Sequence, residues 1–182
     1  MFYKWFWGFR ALIYAPFFGS FGMPSYIGKP IFLKGISKIY IGKKVRIFPH
    51  IRLELSGNGS IHIRDEVVIQ QNVHITAGDF LEIGKKTLIL ANTFITDIDH
   101  DYTEIDKHIL EQKLIIQKTK IGENCFIGMG AAIMAGTTLG NHCVVGANSV
   151  VRGNFPDYCV IVGAPAKIVK KYNHENGKWE KI

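Results

Sequence analysis

Between residues 121 and 150 the hydrophobic pattern recurs every six positions. In Ile121-Gly122-Glu123-Asn124-Cys125-Phe126 and the hexads that follow it to Val150, the first position is always aliphatic and the second is usually Gly. The fifth is always small: Cys125, Ala131, Thr137, Cys143 and Ser149. A helix repeats every 3.6 residues and a strand every two, so neither explains a period of six. A triangular prism does. Each hexad supplies one short flat face and one corner, with the aliphatic residue inside, the small residue in the crowded corner and Gly relieving the tight turn. Three hexads close one coil, so residues eighteen apart should stack: Ile121 with Leu139, Cys125 with Cys143, Ile127 with Val145.

The same pattern runs less strictly from about Ile31. Ile41-Gly42-Lys43-Lys44-Val45-Arg46, Ile63-Arg64-Asp65-Glu66-Val67-Val68 and Ile83-Gly84-Lys85-Lys86-Thr87-Leu88 all fit it. Leu53–Ser60, with its Gly-Asn-Gly, reads as a bulge between coils, and Asp79 disturbs the hexad around it. Roughly six coils would then form one continuous core, because such repeats bury their faces only against neighbours. Three segments stand outside the repeat. Residues 1–30 are crowded with aromatic side chains and read as a short amphipathic helix. Residues 97–120 are mostly charged and polar, and should leave the prism as an arm; a long insertion in a strict repeat is a functional signal. Residues 171–182 form a basic tail, expected as a short helix with a turn at Asn176-Gly177 and Trp179 packed back on the body. The body between them, 31–170, is one domain.

Composition narrows the partners. The net charge of +7 favours anionic ones, but the basic residues are scattered and form no nucleic-acid motif, so nucleic acid is not expected. The three cysteines are an odd number; Cys125 and Cys143 take the small interior position and read as inert core thiols in a reducing compartment. The apolar run Ala11–Phe18 is too short to span a bilayer and Pro16 breaks it. It lacks a convincing signal-peptide cleavage site. The expected location is cytoplasmic. Residues 1–18 either cap the open end of the core or lie on the inner face of the membrane, and the two roles are compatible.

The hexads, the long insertion and the Val162-Gly163-Ala164-Pro165-Ala166-Lys167 segment together resemble the hexapeptide-repeat acyltransferases, most closely the branch of lipopolysaccharide-sugar and maltose/galactoside O-acetyltransferases. The resemblance covers roughly residues 31–170. It implies an all-β fold, a left-handed parallel β-helix, which is an exception to the right-handed rule for parallel crossovers. It implies a homotrimer, with acetyl-CoA as co-substrate and a sugar or glycan as acceptor. In that family a catalytic His sits at the root of the extended loop, and the matching residue is His100, in Ile95-Thr96-Asp97-Ile98-Asp99-His100-Asp101-Tyr102. An imidazole there would serve as general base on a sugar hydroxyl, with Asp97, Asp99, Asp101 or a backbone carbonyl to orient it. The acceptor would be met by Asn92, Asp97, Asp99 and Tyr102. The cofactor would lie along Phe126, Met129, Gly130, Ala147, Asn148 and Ser149, with Lys167 and either Arg152 or Lys170 near its phosphates. A backbone N–H near Gly128–Gly130 would serve the oxyanion. Met129 is a departure, since some relatives carry a hydroxyl near this point.

Competing readings are narrower. Asp97, Asp99 and Asp101 have the spacing of a calcium loop, but Tyr102 and His108 occupy the places of its Gly and Glu. A γ-class carbonic anhydrase would need a close histidine pair, and His100 and His108 are too far apart in sequence, so no metal is expected. A noncatalytic repeat scaffold would need the coils but not the arm. An N-acetyltransferase on an amino sugar would use the same base.

Overall fold

Each hexad folds into a two-residue strand and a turn, as in Lys120–Ile121, Phe126–Ile127 and Ala132–Ile133. The first strand residue faces out and the second is buried. In the computed structural model, which describes residues 3–182, these strands stack in parallel into three sheets around a single core. The expected eighteen-residue stacking holds, with Ile121 paired to Leu139 and Ile127 to Val145. The first sheet carries seven strands, from Ser20–Phe21 to Asn154–Phe155, so the prism has seven coils where the sequence pattern suggests roughly six. The additional coil is built by Ser20–Phe21, Tyr26–Ile27 and Phe32–Lys34, so the prism begins at Ser20, ahead of residue 31.

The turn is made at the fourth hexad position, not the second. Asn124, Gly130, Gly136, His142 and Asn148 all have positive φ. The glycines of the second position serve a different end. A Cβ on Gly122 would meet the Gly140 carbonyl of the next coil, and one on Gly128 would lie 2.5 Å from the Ala147 nitrogen. They are there because coil backbones approach closely. At the fifth position the small residues are buried as expected, and Thr137 there finds carbonyls: its Oγ1 lies 2.6 Å from the Met134 oxygen and 2.9 Å from that of Val151. The cysteines are free and buried, and burial pushes the Cys159 thiol up to about 12.

The irregularities of the early repeats share one edge. The turn Ile36–Lys38, the Gly57–Gly59 bulge and Gly78-Asp79 all fall between the third sheet and the first, one coil above another. The insertion at 97 leaves the prism from this same edge. At the first-coil end lies α1 (Tyr3–Tyr14), with Ala11 and the following Phe18 in the core cluster and Trp7 against Tyr26 and Phe48. At the other end the tail is not helical. Ala166–Asn173 pairs antiparallel with Cys159–Gly163, and Lys178–Lys181 pairs with it in turn. The open edge of the last coil offers unpaired backbone groups, and Ile168, Val169 and Tyr172 favour an extended chain. The turn at Asn176-Gly177 is present, and the Trp179 ring lies 5.4 Å from that of Tyr172.

Candidate active site

The arm is clamped at its root. Asp97 is buried, and its carboxylate accepts from the Gly78 and Asp79 N–H groups at 2.7 and 3.0 Å. Burial raises its pKa, and these two donors oppose the shift. On the returning side, the Gln117 N–H donates to the Asp97 carbonyl and Thr119 Oγ1 to the Thr96 carbonyl. Between the clamps, Ile98–His100 pairs antiparallel with Leu114–Ile116, which sets His100 opposite Leu114. Further out, the half-loop is knotted by Gln112, whose amide binds the backbone of Glu104 and Lys107.

A cleft of about 410 Å³ lies between this arm and the third sheet. His100 and Asp99 line it from the arm, Glu54, His74 and Phe94 from successive coils below, and Met134 from the coil above. The two histidines differ. His100 is exposed, and its ring makes no hydrogen bond among the described residues. His74 is half-buried beside Phe94; burial, then the nearby Arg52 charge, lower its pKa, so it is neutral at pH 7. Glu54 is held ionised by its 2.7 Å ion pair with Arg52, whose hydrogen bond lowers the carboxyl pKa.

The three acids beside His100 are already engaged. Asp97 holds the arm root. Asp99 pairs with Arg152 at 2.7 Å, a hydrogen bond that lowers its pKa. Asp101 accepts from the backbone and hydroxyl of Thr103. Within one chain, then, none of them orients the imidazole, and Arg152 is turned to the arm, not to a cofactor phosphate. Of the residues expected around the acceptor, only Asp99 lines the cleft with His100. Tyr102 is on the outer arm, 74% exposed. Asn92 lies on another edge, where its side chain accepts from Asn72. Asp97 is buried away from the cleft for the reason given above.

The residues expected along the cofactor form a strip on that other edge. Asn92, Gly130 and Asn148 are its positive-φ turn residues on successive coils. Phe126, Met129, Ala147 and Asn148 are exposed beside it, and Lys167 is exposed opposite Val162 where the tail folds back. Ser149 departs from the group: it is buried, and its hydroxyl accepts from the Gly163 N–H at 3.1 Å. The Gly128 and Gly130 N–H groups are spent on Val145 and Ala91. That of Met129 makes no hydrogen bond among the described residues. Glu54 and Phe94 escaped the sequence reading because only coil stacking brings them to His100. The signal was there in the register, which pairs Arg52 with His74 and His74 with Phe94.

The bacterial transferase hexapeptide (six repeats) model matches residues 118–153. WbbJ of Escherichia coli K12, named as a lipopolysaccharide biosynthesis O-acetyl transferase, is 37% identical over 163 residues, covering 84% of this chain and 81% of that protein. Among solved structures, AntD, an N-acyltransferase from Bacillus cereus in complex with dTDP and 3-hydroxybutyryl-CoA, superposes with a TM-score of 0.77 at 19% identity, over 92% of this chain and 90% of that one. A galactoside acetyltransferase in complex with coenzyme A gives 0.65 at 22% identity, over 92% and 71%. At such identities the two structures speak for the fold.

Proposed function

The chain belongs to the hexapeptide-repeat acyltransferases, and on that premise we propose that it moves acetyl from acetyl-CoA to a sugar hydroxyl in cell-surface polysaccharide or lipopolysaccharide synthesis, with His100 as general base. The observation that carries the assignment of the base is the cleft itself. His100 is the exposed, unengaged imidazole at the root of a clamped arm, facing a groove walled by Glu54, His74 and Phe94. A sugar hydroxyl is a weak nucleophile at neutral pH, and an imidazole within reach accepts its proton as the oxygen attacks the thioester carbon. The tetrahedral oxyanion collapses with loss of the CoA thiolate, and no acyl-enzyme is needed when both substrates are held together. Glu54, fixed as an anion, serves to accept from acceptor hydroxyls. The Met129 N–H, which makes no hydrogen bond among the described residues, lies on the cofactor strip and suits the oxyanion.

His100 and the strip lie on different edges of one prism, so the reading calls for a second copy. We place three chains around an axis, with the arm of each lying over the strip of the next. The outer arm supports this: Tyr102, Ile105 and Leu110 are 74%, 93% and 75% exposed, an apolar tip that nothing among the described residues covers. The partner then supplies the group that orients the His100 ring. Peripheral contact with the membrane through the N-terminal helix completes the proposal.

The test is thiol release from acetyl-CoA with a panel of sugars and amino sugars. His100→Ala should lose about 10²–10⁴-fold in acceptor-dependent turnover while still binding CoA. Full activity in the variant would remove the base from His100, and His74 would be examined next.

A further inference from the structure

We propose that the first-coil end of the prism is a docking face for an anionic lipid bilayer, laid on it through α1. Capping the core needs only one side of this helix. Trp7, Ala11 and Tyr14 supply it, with Phe18 beyond. The opposite side is also apolar: Trp5, Phe6, Phe9, Leu12, Ile13 and the following Phe17 are 81%, 69%, 65%, 60%, 51% and 61% exposed. A helix that only capped a water-facing end would turn polar residues outward. Between this face and the Met23-Pro24 segment runs an open apolar groove of about 590 Å³, lined by Trp5, Phe9 and Leu12.

Charge selects the occupant. Residues 3–18 contain no acidic residue. Lys4, Lys44 and Arg46 line a second shallow groove beside the helix, and none of the three is in an ion pair among the described residues. Aromatic rings backed by unpaired cations match the boundary between acyl chains and phosphate headgroups. A second copy of this chain is a poorer partner, because a two-fold contact would set the two cation clusters against each other. The helix is a surface element and not a span. Its twelve residues measure about 18 Å against a hydrocarbon core of about 30 Å, and no helix among the described residues is long and apolar enough to cross a membrane.

The stacking fixes where the cleft then stands. Its walls belong to the second to fifth coils. At about 4.8 Å per rung, they rise from about 5 to 20 Å above the first coil. Resting on the acetyl-transfer reading, this height suits an acceptor sugar carried on a membrane-embedded lipid.

Co-sedimentation with vesicles, run without acetyl-CoA, tests the docking face independently of that reading. Wild type should pellet with phosphatidylglycerol vesicles, at least tenfold less with phosphatidylcholine, and less again as salt rises. Trp5→Glu/Phe9→Glu should lose at least tenfold while keeping the wild-type melting temperature and circular dichroism. Lys44→Ala/Arg46→Ala, which leaves the helix untouched, should lose the preference for the anionic vesicles. Wild type that stays in the supernatant, or variants that pellet as well as wild type, would overturn the proposal. So would a Trp5→Glu/Phe9→Glu variant whose solution mass is half that of wild type, which would make the occupant a second copy.

Discussion

Asp97 shows how one residue can be read for chemistry and prove to be architecture. It lies three residues before His100, in an acidic stretch, and suggests a partner for substrate or imidazole. Its carboxylate instead closes two N–H groups that would otherwise be orphaned beneath the arm. Asp97→Ala should therefore cost about 1–3 kcal/mol, the penalty for leaving buried donors unsatisfied. Urea unfolding would give the loss, and hydrogen exchange should show it concentrated at Gly78, Asp79 and the arm. An unchanged midpoint would mean that water replaces the carboxylate at no cost. Sequence could not settle the matter, because the partners of Asp97 lie one coil below and at a bulge. His100, by contrast, is singled out by its resemblance to the family's histidine at the root of the loop, and its role as base is a proposal.

At the scale of the element, the hexad was legible because its constraints repeat. Inward aliphatics and small corner residues both fall where the period puts them. The role of Gly was misread because two demands, a positive φ and a close approach, both call for it. The structure separates them by position. Gly128→Ala should cost about 1–3 kcal/mol, since its Cβ would press on the backbone nitrogen of Ala147, which cannot rotate away. At the turn position Lys86, with φ of 60°, already carries a side chain there. Chemical denaturation of the Gly128 variant is the check, and a neutral result would show that neighbouring coils can separate slightly. The tail was missed for a plainer reason. Its pattern is compatible with helix or strand, and the deciding factor is the unpaired edge of Cys159–Gly163, which no local pattern reveals.

At the scale of the whole molecule, sequence gives the prism but not what surrounds it. The cleft and the cofactor strip face different ways, and the arm tip is apolar and bare. These observations agree if the working unit holds three chains. Light scattering should return three times the 20.5 kDa chain mass, and Ile105→Glu/Leu110→Glu should lower it by placing charges at the arm contact. A wild-type mass of one chain would require each active site to be rebuilt within a single prism.

The parallel register has a consequence for how such a catalyst is tuned. Coils are added or removed as units, each pairing with its neighbours alike, so the distance from foot to workbench is counted in rungs and not sculpted. One inserted coil beneath Arg52–Leu55 would lift the chemistry by about 4.8 Å without altering the residues that perform it. On the docking proposed above, reach and reactivity are written in separate parts of the chain, and the stature of the molecule is free to follow the length of a lipid tether beneath the acceptor.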